Sequence, residues 1–100
     1  MGQDVGTVPV PADLKIDDVK AVVIKALLGR RWEITAKSDG KVVAHYVRGN
    51  NVATVTVVYD VKEVHLYAVG QARGGGLPMR WFHNLMKDIA TFLNQAFATK

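Results

Sequence analysis

A chain of 100 residues, 49% hydrophobic and 22% charged, makes one globular domain long enough to bury a core, which excludes disorder and a two-domain division. The absence of cysteine excludes a disulfide framework, thiol catalysis and a cysteine-ligated metal. The formal net charge of +4 favours acidic partners only weakly, because no run of basic residues exceeds two.

Residues 1–15 hold Pro9 and Pro11 and show no periodicity, so they read as an extended lead-in to a single domain over 16–100. The opening segment has no apolar central region of the signal-peptide kind, and no stretch approaches the roughly twenty apolar residues that span a bilayer. Membrane attachment, if any, is therefore expected only through an N-terminal anchor that has been removed.

The first helix is predicted from about Asp17 to Leu28. Ile16, Val19, Val23, Ala26 and Leu27 share one face, acids stand at its start, Arg30 and Arg31 follow its end, and Gly29 is the expected left-handed terminator. Four strands follow: Trp32–Lys37, Lys41–Arg48, Val52–Asp60 and Glu63–Val69. The turns between them, at Ser38-Asp39-Gly40, Gly49-Asn50-Asn51 and near Val61-Lys62, are short enough to allow only antiparallel neighbours. Gly74-Gly75-Gly76 sits in a loop expected to be mobile. A last helix then runs from Met79 or Arg80 to about Ala98, with Trp81, Leu85, Ile89, Phe92 and Ala96 as its apolar stripe and Phe82 and Leu93 beside it.

The expected fold class is α+β: helix, four-stranded antiparallel meander, helix, with both helices packed on one face of the sheet. A three-residue first turn would place Ile34 opposite Ala44 and Ala36 opposite Val42. Val42, Ala44 and Tyr46 would then share the core face with Ala53, Val55, Val57 and Tyr59. The fourth strand is expected to send Val64, Leu66 and Ala68 inward, because burying His65 is costly. Ile34, Val55, Val57, Leu85 and Ile89 are expected to be deeply buried. The open face is expected to carry Thr35, Lys37, Val43, His45, Val47, Thr54, Thr56 and Val58.

Several segments carry a resemblance. Arg31-Trp32 at a helix exit, Gly40-Lys41-Val42-Val43-Ala44, Ala53–Tyr59, and Trp81, Leu85 and Ile89 in the last helix together resemble a family of small bacterial envelope proteins, lipid-anchored or secreted, of unassigned function. The resemblance spans about residues 17–95. Pro78 and Met79 stand where that family has tyrosine and asparagine, and Val69-Gly70 replaces an acidic–serine pair. It implies the fold and a location in the bacterial periplasm or envelope; it implies no activity.

No constellation names a reaction. His45, His65 and His83 lack metal-ligand spacing, so no metal or other cofactor is expected. Glu33 and Glu63 are the only glutamates; Asp17 and Asp18 fall at a helix start, Asp39 and Asp60 in turns and Asp88 on the last helix. Ser38, the only serine, lies in a turn. Arg73-Gly74-Gly75-Gly76 lacks the rest of a phosphate-binding loop. Trp32 and Trp81 read as core anchors. The expectation is no enzyme. The chain is instead read as a non-catalytic interaction or structural module that binds a protein partner or a second copy of itself. The surface for this is the open sheet face, formed by Val43, His45, Val47, Thr54, Thr56 and Val58, or an edge strand, with the strand at 63–69 favoured. Nucleic acid is not the expected partner. The alternative is electrostatic capture of a polyanion, nucleic acid or anionic envelope polymer, by Arg30, Arg31, Arg48, Arg73 and Arg80 gathered at one end.

Overall fold

The computed structural model describes residues 2–71 and 75–99. Seven elements follow in order: β1 (Gln3–Pro9), α1 (Ile16–Gly29), β2 (Glu33–Ser38), β3 (Lys41–Arg48), β4 (Asn51–Tyr59), β5 (Glu63–Gln71) and α2 (Met79–Ala98). All pairings are antiparallel, and the strands lie in the order β1-β5-β4-β3-β2. The fold is thus α+β with a five-stranded sheet, not a four-stranded one. The segment read as a lead-in is β1, paired along β5 from Gln3↔Ala68 to Pro9↔Glu63.

Glycine and proline, both depleted in strands, hid this first strand. A bulge between Asp4 and Gly6 also breaks its period of two. Gly6 is needed where it stands: its φ is +149°, and a Cβ there would lie 2.5 Å from Met86 Sδ, where α2 crosses β1.

The register of β3, β4 and β5 follows the predicted alternation. Val42↔Val57, Ala44↔Val55 and Tyr46↔Ala53 share the helix side, and Val64, Leu66 and Ala68 join them fully buried. β2 departs from expectation. Ser38 pairs with Lys41, so the first turn has two residues, Asp39 and Gly40, and an extra residue, Thr35, bulges out further along. The bulge restores Ile34↔Ala44 but sets Ala36 against Val43 and Lys37 against Val42. Ala36 therefore joins the open face and Lys37 the helix side, the reverse of the simple alternation. Ile34, at this edge, is only partly buried.

Val19, Val22, Val23, Ala26 and Leu27 of α1 and Phe82, Leu85, Ile89 and Leu93 of α2 form one core with the helix side of the sheet. The α2 stripe is centred on Phe82 and not on Trp81, which is half-buried together with Phe92 and Ala96. α1 begins with Asp18 Oδ2 accepting from the Lys15 N–H at 2.9 Å. It ends without using Gly29 as the left-handed residue. Arg31 takes that conformation at φ 66°, with Arg31 N–H bonded to Leu28 O at 3.1 Å and Trp32 N–H to Leu27 O at 3.0 Å. This two-bond C-terminal closure delivers Trp32, 3% exposed, into the core.

Candidate functional site

Chain direction gathers arginines at one end of the sheet, although Glu33 also begins β2 there and Lys41 and Lys62 stand at the other end. The exit of α1, the β3–β4 turn and the start of α2 all fall at one end of the sheet, and with them Arg30, Arg31, Arg48 and Arg80. The opposite end holds the turn acids Asp39 and Asp60 and the first-turn acids of α1. Arg73 and Gly74 lie outside the described residues.

At the arginine end are two adjoining cavities. The outer, about 560 Å³, is lined by Arg48, Gly49, Asn50, Asn51, Arg80 and Trp81. The inner, about 150 Å³, is lined by Arg30, Trp32, Tyr46, Arg48, Trp81 and Asn84. Arg48 and Trp81 belong to both, so the two make one stepped cleft.

Each wall has a local cause. Arg48 follows Val42, Ala44 and Tyr46 in the period-two row that faces the helices, and it reaches past the last core residue. Asn51, opposite Arg48, shares that side. Trp81 and Asn84 are three apart on α2 and so stand on one helix face. Three rings pack together: Tyr46 and Trp81 meet at 4.8 Å and 73°, Trp32 and Trp81 at 6.4 Å and 89°, and Trp32 and Tyr46 at 5.5 Å.

The three arginines of the cleft are not equivalent. Arg30 donates to both Asp88 oxygens, at 2.6 and 3.2 Å. That hydrogen bond, and then the carboxylate's charge, raise the guanidinium pKa further above its already high ordinary value. Arg48 and Arg80 have no acidic partner among the described residues. Arg31 is exposed at the same end but does not line either cavity.

Of the eight residues expected on the open face, the six proposed as a partner surface lie there, whereas Lys37 falls on the helix side and Thr35 at the β2 bulge. Val43↔Thr56, His45↔Thr54 and Lys41↔Val58 are cross-strand pairs on one side, and Val47 pairs with Val52. They differ in access. Thr56 is 9% exposed, Val43, His45, Thr54 and Val58 are half-buried, and Val47 is 58% exposed. His45 Nδ1 lies 3.0 Å from Thr54 Oγ1. The most accessible apolar patch is instead Val47 and Val52 with Val69, which pairs with Thr54 and is 58% exposed.

β1 adds residues to this face that the sequence did not suggest. His65 stacks on Tyr67 at 4.7 Å, its Nδ1 is 3.2 Å from Thr7 Oγ1, and its Nε2 is 2.8 Å from Asp4 Oδ2. The last contact is off the direction of the ring nitrogen's hydrogen bond, so it is a close polar contact and not a formed bond.

The favoured edge strand was misplaced. β5, which contains residues 63–69, is paired on both sides, by β1 and by β4. The true edges are β1 and β2. Each carries a bulge, β1 also has Pro9 and β2 has Lys37, devices that discourage an added strand.

Among the described residues, no group of three histidine or acidic side chains is placed to hold a metal ion, and no helix is long and apolar enough to cross a membrane. Comparison of the chain with protein-family models, with curated proteins and with solved structures gave no match.

Proposed function

We propose that this chain is a non-catalytic binding module that takes an anionic partner at its arginine end. The observation that carries this reading is that Arg48 and Arg80, supplied by different elements, line one cavity and have no acidic ion-pair partner among the described residues. Two guanidiniums held in that way favour an oxyanion that each can meet with paired N–H donors. The non-catalytic part of the reading rests on the lack of a nucleophile–base pattern in the sequence. The location in the bacterial periplasm or envelope rests on the resemblance alone; signal-dependent export in a cell fractionation experiment tests it.

The binding test is a salt titration against anionic polymers, single-stranded DNA and a polyuronate among them. Affinity is expected to fall steeply with salt, and Arg48→Gln or Arg80→Gln to lower the slope of log affinity against log salt by about one each. No binding at low salt discards the proposal.

The open sheet face supports a second reading, a protein partner or a second copy of the chain. Val47, Val52 and Val69 form an exposed apolar patch on it. A Val47→Lys/Val69→Lys double variant should fold and lose that partner. Retention of every partner by the folded variant removes this reading.

A further inference from the structure

We infer that the ligand of the stepped cleft is an acidic carbohydrate, a sugar ring that carries a carboxylate or a phosphate beside its hydroxyls. The inference rests on the anion-binding reading above and deepens it.

The argument starts from what the lining groups can donate and accept. Arginine only donates, whereas an asparagine amide and a tyrosine hydroxyl do both. The side chains of Asn50 and Asn84 have no hydrogen-bond partner among the described residues. The cleft therefore offers acceptors, two amide carbonyls and the Tyr46 hydroxyl, next to the donors of Arg48 and Arg80. A bare polyanion such as polyphosphate brings acceptors alone. It would satisfy the guanidiniums and leave the amide carbonyls without donors once water is displaced, which costs free energy. A hydroxylated anion matches both kinds of group.

Size and ring geometry narrow the ligand further. A cavity of about 150 Å³ is the size that accepts a single six-membered ring, as benzene-binding cavities of roughly that volume do. The rings of Tyr46 and Trp32 cross Trp81 at 73° and 89°, so they offer no parallel faces between which a nucleobase would stack. A pyranose needs no such sandwich. Its charged substituent would reach outward to Arg48 and Arg80, and its hydroxyls would meet Asn84, Tyr46 and Asn50.

The test is calorimetric titration of the whole chain at low salt with tetragalacturonate, its neutral methyl ester, a phosphomannan fragment, polyphosphate of matched charge and oligo(dT). Binding of the uronate or the phosphomannan is expected, and the tighter of the two identifies the charged group. The methyl ester and polyphosphate should each bind at least about tenfold more weakly than the better sugar acid. An Asn50→Ala/Asn84→Ala variant should lose that preference over polyphosphate, its affinity for the sugar acid falling and its affinity for polyphosphate rising as the unsatisfied carbonyls are removed. If polyphosphate or oligo(dT) binds as tightly as the sugar acids, the carbohydrate inference is wrong and the anion reading survives. If no anion binds, both fall.

Discussion

Arg30 and Asp88, 58 positions apart in the chain, meet through two hydrogen bonds that pin the exit of α1 to the middle of α2. The Arg30 side chain is 44% exposed and that of Asp88 24%, so solvent screens the pair. Its paired geometry places it at the upper end of what surface ion pairs contribute. Asp88→Asn is expected to lower stability by about 0.5–1 kcal/mol, read from the urea midpoint, with a smaller loss in high salt. The same change releases Arg30 into the inner cavity. Anion affinity should therefore rise and its salt slope steepen, although the fold is weaker. A variant that loses stability and affinity together would contradict this account.

Phe82 and Trp81 are adjacent and should behave differently. Phe82 is fully buried, and Phe82→Ala should cost about 3–5 kcal/mol in thermal or chemical unfolding. Trp81 is half-buried and walls both cavities. Trp81→Ala should cost about half as much and should weaken anion binding at least severalfold. Equal losses of stability would place Trp81 in the core as the sequence periodicity suggested.

Arg31 holds a backbone conformation that glycine adopts freely, at φ 66°. The left-handed region costs a side-chain-bearing residue about 1–2 kcal/mol, while glycine's extra freedom in the unfolded chain costs about 0.5–1 kcal/mol. Arg31→Gly should therefore stabilise the protein by about 0.5–1 kcal/mol in denaturant titration. Because Arg31 lines neither cavity, specific binding in the cleft should change little. A marked drop in affinity would add Arg31 to the site.

Much of the fold is legible in the sequence because β3, β4 and β5 alternate cleanly and short turns connect them. β1 is not legible, since Gly6, Pro9 and a bulge remove the alternation, and its pairing depends on β5 being available far along the chain. The α2 stripe is ambiguous for a different reason. Rows through Trp81 and through Phe82 both have helical spacing, and only the surface that α2 meets decides the rotation. The convergence of Arg30, Arg48 and Arg80 follows from chain direction. Asn50 and Asn84 gave no signal, because asparagine in a turn reads as a turn former and a lone asparagine on a helix reads as solvated surface.

Asp60 makes the β4–β5 turn sensitive to acid. Its Oδ1 accepts the N–H of Lys62 at 2.7 Å and of Glu63 at 2.9 Å, while the Asp60 N–H donates to Glu63 O at 3.0 Å. The bond from Glu63 and then that from Lys62 favour the charged carboxylate and hold its pKa below the ordinary 3.8. The folded value is lower than the unfolded one, so the turn's contribution is fully present above the unfolded value and is lost as pH falls through the folded one. Asp60→Asn keeps an acceptor oxygen but not the charge. It should be less stable than the parent chain at neutral pH, and the gap should stay constant down to about pH 5 and close below the ordinary aspartate value. Urea midpoints of both chains from pH 7 down to acid measure the gap directly. A gap that widened on acidification would mean that the turn does not depend on the Asp60 carboxylate.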